Sequence, residues 1–233
     1  MLIESLVAEA FATNCYVVAA EAGSDCVVID PGIGIAERLN AFLAARDLTP
    51  VAVMMTHGHL DHTFSVTPIA DPRGIPAYVH PGDAGQLVDP LAGLGDLGRM
   101  FAGKFDWREP NEIASVVDGQ KLELAGLTFT ITHAPGHTPG SVLFGLDGDD
   151  DAESYSFTGD VLFKGTIGRT DLPGGDSAQM MASLRDKVLA LPDGTVVLPG
   201  HGDRTDIGVE RRTNPFLIEL SNEGHTQAPT RGL

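Results

Sequence analysis

The sequence is poor in cysteine and in basic residues. It contains two cysteines, Cys15 and Cys26, and both lie in apolar segments typical of strands. We therefore expect buried, reduced thiols rather than a disulfide framework, as is usual in the cytosol. Lys and Arg number 15 against 32 Asp and Glu, which gives a formal net charge of −17 and a pI of about 4.6. This balance disfavours a nucleic-acid partner, because binding a polyanion depends on basic side chains that displace counterions.

Long apolar segments are also missing. No run approaches the roughly 18 residues that a membrane helix needs, so no membrane partner is expected. The N-terminus has an early Glu4 and lacks the basic region of a secretory signal. These features predict a cytoplasmic protein. Low-complexity linkers are absent too, and 42% hydrophobic residues in a chain of 233 predict one domain over residues 1–233. The sequence does not indicate an oligomeric state.

Hydrophobic periodicity predicts a mixed α and β chain. Helices are predicted at 34–46, at 177–190 with Ser177 as its cap, and at 206–221 with a break before Pro215. Ala125-Gly126 predicts a hairpin between strands 121–124 and 127–132. The other predicted strands are 2–9, 14–20, 25–30, 51–55, 77–80, 141–146, 154–158 and 195–198.

Shorter features complete this prediction. Pro81 is expected to open a short helix containing Asp83 to Leu87. Residues 88–110 are expected to form a loop with one short helix that overhangs the pocket, and the acidic turn 147–151 a solvated loop. The polar tail from Asn222 is expected to fray.

The densest group of metal-competent side chains lies in Thr56-His57-Gly58-His59-Leu60-Asp61-His62. This stretch follows the apolar segment 51–55, which predicts a buried strand. In an extended segment alternate side chains share a face, so His57 and His59 point the same way. Imidazole and carboxylate ligands suit zinc, iron or manganese, and the stretch therefore predicts a metal site. Asp30, at the end of the predicted strand 25–30, is expected to shape its floor.

Three later stretches share one design, in which a glycine precedes a metal-competent residue beside an apolar strand. They are Pro135-Gly136-His137, Thr158-Gly159-Asp160 and Pro199-Gly200-His201. Each alone is typical of an ordinary turn. After the His-rich stretch, they predict that all three residues join the same site, because catalytic groups gather in loops at strand ends. The remaining histidines, His80, His133 and His225, lack this context and are not expected to bind metal.

The segment His57-Gly58-His59-Leu60-Asp61-His62 resembles the HxHxDH signature of the metallo-β-lactamase superfamily. The later motifs are similar to those of its short glyoxalase II-like branch, and the resemblance covers nearly the whole chain. It implies an α+β fold, a four-layer αββα sandwich. It also implies two divalent metal ions, with zinc expected first and iron or manganese as alternatives.

The resemblance also implies a ligand set. His57, His59 and His137 would bind one metal, Asp61, His62 and His201 the other, and Asp160 both. Asp61 and Asp160 are accordingly predicted to be catalytic as well as metal-binding.

Two metals that activate water suit a hydrolase with a small-molecule substrate. A thioester suits this chemistry best, because a thiolate leaves with little help from an acid. We therefore expect a thioester hydrolase of the glyoxalase II type, acting on S-lactoylglutathione or a related thiol ester. Full-length glyoxalase II enzymes carry a further helical domain that grips glutathione, and the segment after His201 is too short for it. Thioester hydrolysis is therefore better supported than the identity of the thiol.

Residues 159–171 are similar to a loop that borders the substrate in those hydrolases. Lys164 or Arg169 is expected to bind a substrate carboxylate there. The alternative is that Arg169 pairs with Asp171 and only stiffens the loop.

Other functions remain open. Persulfide dioxygenases share the HxHxDH motif and a similar Gly-Arg-Thr-Asp loop, and residues matching His57, His137 and Asp160 bind a single iron in them. A β-lactamase is less expected, since such enzymes are usually exported and generally lack the bridging aspartate, and the negative charge disfavours a nuclease. A binding module that metal merely stabilises is also disfavoured, because structural zinc sites are usually closed and four-coordinate whereas seven candidate ligands occur here.

Overall fold

The first of two large sheets carries the N-terminal part of the chain. The computed structural model describes residues 1–91, 93, 95, 107–147 and 153–226. Six strands form the first sheet in chain order: β1 (Leu2–Val7), β2 (Asn14–Ala19), β3 (Asp25–Ile29), β4 (Thr49–Met54), β5 (Ala77–Val79) and β6 (Ile113–Ser115). The first three are antiparallel neighbours, whereas β3 to β6 run parallel. The carboxyl ends of β3, β4 and β5 therefore meet at one edge of the sheet.

The second sheet carries the C-terminal part. Its strands are β7 (Lys121–Leu124), β8 (Leu127–His133), β9 (Val142–Leu146), β10 (Tyr155–Gly159), β13 (Val196–Pro199) and β14 (Thr205–Asp206). Their spatial order is β14-β13-β10-β9-β8-β7, and only the β10–β13 pair in this sheet is parallel. A separate hairpin joins β11 (Leu162–Phe163) to β12 (Thr166–Ile167).

Seven α-helices are described. They are α1 (Ala36–Ala45), α2 (Leu60–Thr63), α3 (Val66–Ala70), α4 (Ala84–Val88), α5 (Ser177–Ser183), α6 (Ile207–Thr213) and α7 (Pro215–Thr226). A 3-10 turn, Asp71–Arg73, follows α3, and a π-helical turn, Leu184–Val188, follows α5. No described helix combines the length and apolarity needed to cross a lipid bilayer.

Three apolar layers hold these elements together. Leu39 of α1 and Ile69 of α3 pack on the outer face of the first sheet, and Met180 and Leu217 do the same on the second. A central layer between the sheets contains Tyr16, Ile29, Met54, Phe129, Phe144 and Phe157. Because alternate residues of a strand face opposite sides, Val28 packs outward while Ile29 packs between the sheets. Helices therefore cover both outer faces, and the predicted α+β, four-layer αββα sandwich is confirmed.

The hydrophobic periodicity predicted most helices and strands at the right place, but several of their ends were wrong. The first predicted strand ends at Val7 rather than at residue 9. The prediction of Ser177 as a cap is wrong, since the side chain of Asp176 accepts from the Ala178 and Gln179 amides. The helix predicted over 177–190 changes to π geometry at Leu184.

The C-terminal helix breaks as predicted. Asn214 is extended because it precedes Pro215. The predicted fraying does not begin at Asn222, because α7 continues to Thr226, and residues 227–233 of the predicted tail lie outside the described residues. Most of the predicted loops 88–110 and 147–151 lies outside the described residues.

Both cysteines are buried and free. Burial, together with nearby Asp30, raises the pKa of Cys15, and burial raises that of Cys26 to about 12. The prediction of buried, reduced thiols is confirmed.

Candidate metal centre

The His-rich stretch lies where the parallel strands of the first sheet end. It follows β4 directly, and its last residues enter α2. His57, His59 and His62 are all buried. Asp30 follows β3 at the same edge, and its carboxylate accepts from the Thr56 amide at 2.8 Å and from the Thr56 hydroxyl at 2.6 Å. The expected role of Asp30 at the floor of the site agrees with this geometry.

The second sheet brings His137, Asp160 and His201 to the same place. They lie in the loops after β8, β10 and β13. Gly200 shows why a glycine precedes such a residue, because an added Cβ would lie 2.6 Å from Cε1 of the His62 ring. The closeness of the two sheets at this point excludes any side chain at position 200.

Seven predicted residues come together in three groups, and the group of His57, His62 and Asp160 overlaps with the other two. We call His57, His59 and His137 the first triad, and Asp61, His62 and His201 the second triad. The atoms that each triad offers as ligands lie within 4.8 Å of one another. Asp160 lies between them, with Oδ1 3.4 Å from His62 Nε2 and Oδ2 3.6 Å from His137 Nε2. The arrangement therefore has room for two adjacent cations.

Hydrogen bonds determine which ring nitrogen of His62, His137 and His201 faces the centre of the site. Nδ1 of His62 lies 3.0 Å from Asp30 Oδ2, and Nδ1 of His137 lies 2.7 Å from the Arg169 carbonyl. Nδ1 of His201 lies 3.1 Å from the Phe11 carbonyl. Because carboxylates and carbonyls only accept, each Nδ1 carries the hydrogen, and each Nε2 of a neutral ring presents a lone pair to the centre.

The inward atoms require a cation. Nε2 of His62 and Nε2 of His201 are only 3.2 Å apart, and in neutral rings both present lone pairs. Within the described part of the chain, the buried His57 Nε2 and Asp160 Oδ1 have no hydrogen-bond partner. Metal ions held by the two triads would satisfy all four atoms, and the imidazole and carboxylate donors are those that zinc, iron and manganese take. The residues present therefore fit the metals that the motif implies.

The electrostatics prepare the first triad for metal. Burial, reinforced by the neighbouring imidazoles, holds the pKa of His57 well below its usual range and lowers that of His59 to about 3. Both rings are therefore neutral at physiological pH, as a metal ligand must be.

The second triad differs, because the carboxylates of Asp61 and of the neighbouring Asp160 attract positive charge. Burial alone would lower the pKa of His62, but the Asp160 and Asp61 carboxylates outweigh burial and raise it. Burial opposes ionisation of Asp61 too, yet His62 and His201 hold its pKa below the usual range. The ionised carboxylates thus favour a cation, whether proton or metal.

Lys164 and Arg169 lie near this centre but point to surface carboxylates. Lys164 Nζ lies 3.0 Å from Asp203, and both side chains are exposed. Arg169 makes two hydrogen bonds of 2.7 Å to Asp171, the pairing considered as the alternative from the sequence. The carbonyl of Arg169, rather than its guanidinium, contacts His137.

Sequence reasoning missed several supporting residues. Thr56 Oγ1 lies 3.1 Å from His57 Nδ1, and Phe11 supplies the carbonyl for His201 from a backbone with φ of 62°. Asp83 is fully buried and accepts three hydrogen bonds from residues in the two loops that carry the first triad. The available signal for Asp83 was its place after β5, but nothing in the sequence showed which loops it would contact.

The other histidines lie apart from the triads. His80 and His133 stack on each other with ring centroids 4.0 Å apart, and neither belongs to a metal-competent group. The side chain of His225 lies outside the described residues.

A family model named the metallo-beta-lactamase superfamily matches residues 8–201. This chain belongs to that superfamily. The membership supports a metal-dependent hydrolase, and it agrees with the resemblance of the HxHxDH motif. Lys164, Arg169 and all seven candidate ligands lie within the matched residues.

Two curated relatives cover nearly the whole chain. The protein Rv2581c of Mycobacterium tuberculosis, which carries no functional name, is 48% identical over 95% of this chain and 100% of its own length. The hydroxyacylglutathione hydrolase GloC of Haemophilus influenzae is 35% identical over the same shares of the two chains.

Solved structures give the same fold. The B3 metallo-beta-lactamase BLEG-1 matches with a TM-score of 0.81 and 36% identity over 93% of this chain and 99% of its own. TTHA1623 in a di-iron-bound form matches at 0.73 and 37% identity, over 93% and 100%. ETHE1 of Myxococcus xanthus matches at 0.73 and 27% identity, over 99% and 93%.

Proposed function

We propose that this protein hydrolyses thioesters at a site for two divalent metals, as glyoxalase II enzymes do, with S-lactoylglutathione or a related thiol ester as substrate. The observation that carries the proposal is the pair of triads linked by Asp160. Each triad offers three terminal ligands, and Asp160 offers one carboxylate oxygen toward each. The likeness to GloC, named a hydroxyacylglutathione hydrolase, supports the same reaction class.

The geometry supports the ligand assignment that the family resemblance implies. His57, His59 and His137 would hold one ion, Asp61, His62 and His201 the other, and Asp160 both. When bound, such metals activate water near neutral pH and polarise a carbonyl oxygen. Zinc is the first expectation, and iron or manganese are alternatives. The imidazole donors suit all three, and the di-iron form of TTHA1623 gives iron a precedent in a similar chain.

Among the candidate ligands that the structure describes, those on one side of this centre are partly exposed. The side chains of Asp61 and His201 are 20% and 26% exposed, whereas that of His62 is fully buried. The neighbouring imidazole of His62 holds the pKa values of Asp61 and Asp160 below the usual range, so both carboxylates are ionised and attract cations. Proton supply to the leaving group is less important for a thiolate than for an amine, and this favours a thioester over an amide.

The β11–β12 hairpin borders that open side. The ring of Phe163 lies 6.0 Å from the ring of His201, and Lys164 follows on the same hairpin. The Lys164–Asp203 pair is exposed, and such pairs contribute only about 0–1 kcal/mol, so a substrate carboxylate can displace Asp203. We infer that Lys164 binds a substrate carboxylate, with Arg169 as the second candidate.

The test combines metal analysis with a substrate panel. Protein reconstituted with zinc, iron or manganese is analysed for bound metal and assayed for thiol release from S-D-lactoylglutathione. About two equivalents of metal with turnover are expected. Two equivalents without thiol release from any thioester would overturn the proposal. A β-lactam belongs in the panel because of the likeness to BLEG-1.

A persulfide dioxygenase is the second candidate. One observation favours it: His137 lies 3.6 Å from Asp160, and His57 contacts His137 with ring centroids 4.7 Å apart. Two imidazoles and one carboxylate form the ligand set of many mononuclear iron oxygenases. One equivalent of iron, no thioester hydrolysis and oxygen uptake on glutathione persulfide would establish this alternative.

A further inference from the structure

Asp83 is a buried carboxylate outside the ligand set. It follows β5, and its side chain is fully inaccessible to solvent. The described residues offer it no lysine or arginine partner. Its carboxylate instead accepts three hydrogen bonds, from the Gly58 amide at 2.8 Å, the Gly140 amide at 2.8 Å and the Thr138 hydroxyl at 2.6 Å. A charge is retained in such a place only when its hydrogen bonds are satisfied, so these three contacts are strong structural constraints.

Two of the three donors adjoin a ligand of the first triad, and the third, Gly140, lies in the same loop as His137. Gly58 lies between His57 and His59, and Thr138 follows His137. The two loops belong to different sheets, so the Asp83 carboxylate joins the two halves of the first triad through their backbones. Packing reinforces this link, because an added Cβ at Gly58 or Gly140 would lie 3.0 or 2.8 Å from Cβ of Asp83.

The second triad has a different support. Asn14 donates from Nδ2 to the carbonyls of Pro199 at 3.0 Å and Gly202 at 2.9 Å, on either side of His201. The backbone N–H of Asn14 donates to the Gly200 carbonyl at 2.7 Å. Asp83 has no hydrogen bond to this loop among the described contacts, and Asn14 has none to the loops of the first triad. The two supports are therefore separate.

We propose that Asp83 is a positioning residue that sets the metal affinity of the first triad independently of the second. The inference rests on the two-metal site of the proposed function and goes beyond it by assigning separate control of each ion. Outer residues that orient metal ligands typically change metal affinity 10–100-fold when replaced. Loss of the Asp83 carboxylate should therefore weaken one metal and leave the other unchanged.

Metal titration against a chromophoric chelator tests this without using turnover. His59→Ala and His201→Ala first assign the two zinc-binding steps of the wild-type protein to the two triads. Asp83→Asn is then expected to weaken the first-triad step about 10–100-fold, since its amide group cannot accept from all three donors. Thr138→Val, which removes one donor and keeps the shape, is expected to weaken the same step less. Asn14→Ala should reverse the pattern and weaken the second-triad step.

A core variant separates positioning from general destabilisation. Leu39→Ala removes a buried side chain of α1, and it should lower the Tm without shifting either metal step. Equal weakening of both steps by Asp83→Asn, or no change in either, would overturn the inference. If that variant does not fold, Thr138→Val decides by the same criterion. A wild-type protein that binds one equivalent overturns the two-metal proposal as well, whereas two equivalents without a selective effect overturn only the role of Asp83.

Discussion

The two sheets hold their ligands by different means. In the loop from the first sheet, the outer nitrogens of His57 and His62 contact side chains, those of Thr56 and Asp30. In the loops from the second sheet, the outer nitrogens of His137 and His201 contact backbone carbonyls, those of Arg169 and Phe11. A single substitution can therefore remove an orienting group on the first side. On the second side the orientation depends on the path of the chain.

Exposure divides the site by triad rather than by sheet. His57, His59 and His137 are 3% exposed or less, whereas the side chains of Asp61 and His201 are 20% and 26% exposed. The first triad is therefore the buried wall of the site, and Asp61 and His201 of the second triad border its exposed side. Each triad takes residues from both sheets, so substitutions at the exposed side can alter substrate access while the buried wall is kept.

Removing Asp160, which lies between the two triads, should have the largest effect on turnover. Asp160→Ala deletes the carboxylate that lies near both triads, so we expect turnover to fall by more than about 100-fold, beyond the range for outer orienting residues. Metal analysis and thioester assays measure this. Asp193→Ala, an exposed carboxylate paired with Arg211, is the control. Near-normal hydrolysis by metal-replete Asp160→Ala protein would disprove the two-metal arrangement.

Weakening only the first side should have a smaller effect. Asp30→Asn replaces the acceptor for His62 Nδ1 and for the Thr56 hydroxyl. The imidazole of His62, and through Thr56 that of His57, therefore becomes less well oriented. We expect metal affinity to fall about 10–100-fold, measured by chelator competition. Asp25→Asn, an exposed residue at the start of the same strand, should leave affinity unchanged. An Asp30→Asn protein with wild-type affinity would show that the backbone alone orients this side.

The sequence predicted the positions of the candidate ligands better than the residues that support them. His57 to His62 form one short motif, and three Gly-His or Gly-Asp turns gave the distant candidates, because strand-end loops leave strong local patterns. The structure brings all seven together. Asp83 and Asn14 could not be found in this way, since their partners lie 25 to 188 positions away and no local pattern encodes such pairings.

The fold shows the same limit. Period-2 segments located β2, β3 and β8, but periodicity gave only a mixture of α and β, and the αββα layers came from the family resemblance. Helix ends were less predictable. Asp176 rather than Ser177 caps α5, because both residue types are good caps and only the backbone decides between them.

A change of pH should affect the metal affinity of the second triad more than that of the first. His62 and His201 have raised pKa values, so their protonation stabilises the metal-free protein below the unfolded value of 6.5, and that stabilisation is lost as pH rises through the raised values. Metal requires both rings neutral, so each proton released makes metal affinity rise about tenfold per pH unit. The pKa of His59, about 3, adds no change near neutrality.

The measurement is the zinc-induced rise in Tm at pH 6, 7 and 8. The rise should widen with pH, because the metal-free protein becomes less stable while zinc binds more tightly. His201→Ala removes one of the two titrating rings and should flatten the trend. A constant rise across this range would mean that both rings are already neutral before metal binds.

The smallest effects are expected on the substrate side. Lys164→Ala should raise KM about tenfold with little change in kcat, because a charge-assisted hydrogen bond to substrate contributes about 1.5–3 kcal/mol.

Arg169→Ala distinguishes two roles of Arg169, substrate binding and stiffening of the loop. If its guanidinium binds substrate, KM rises, and Asp171→Ala, which frees the guanidinium, lowers it. If Arg169 only stiffens the loop, its carbonyl still accepts from His137 and KM stays unchanged, as it should in the exposed control Lys121→Ala. An unchanged KM in both Lys164→Ala and Arg169→Ala would place substrate recognition on other residues at the open face, next to Asp61 and His201.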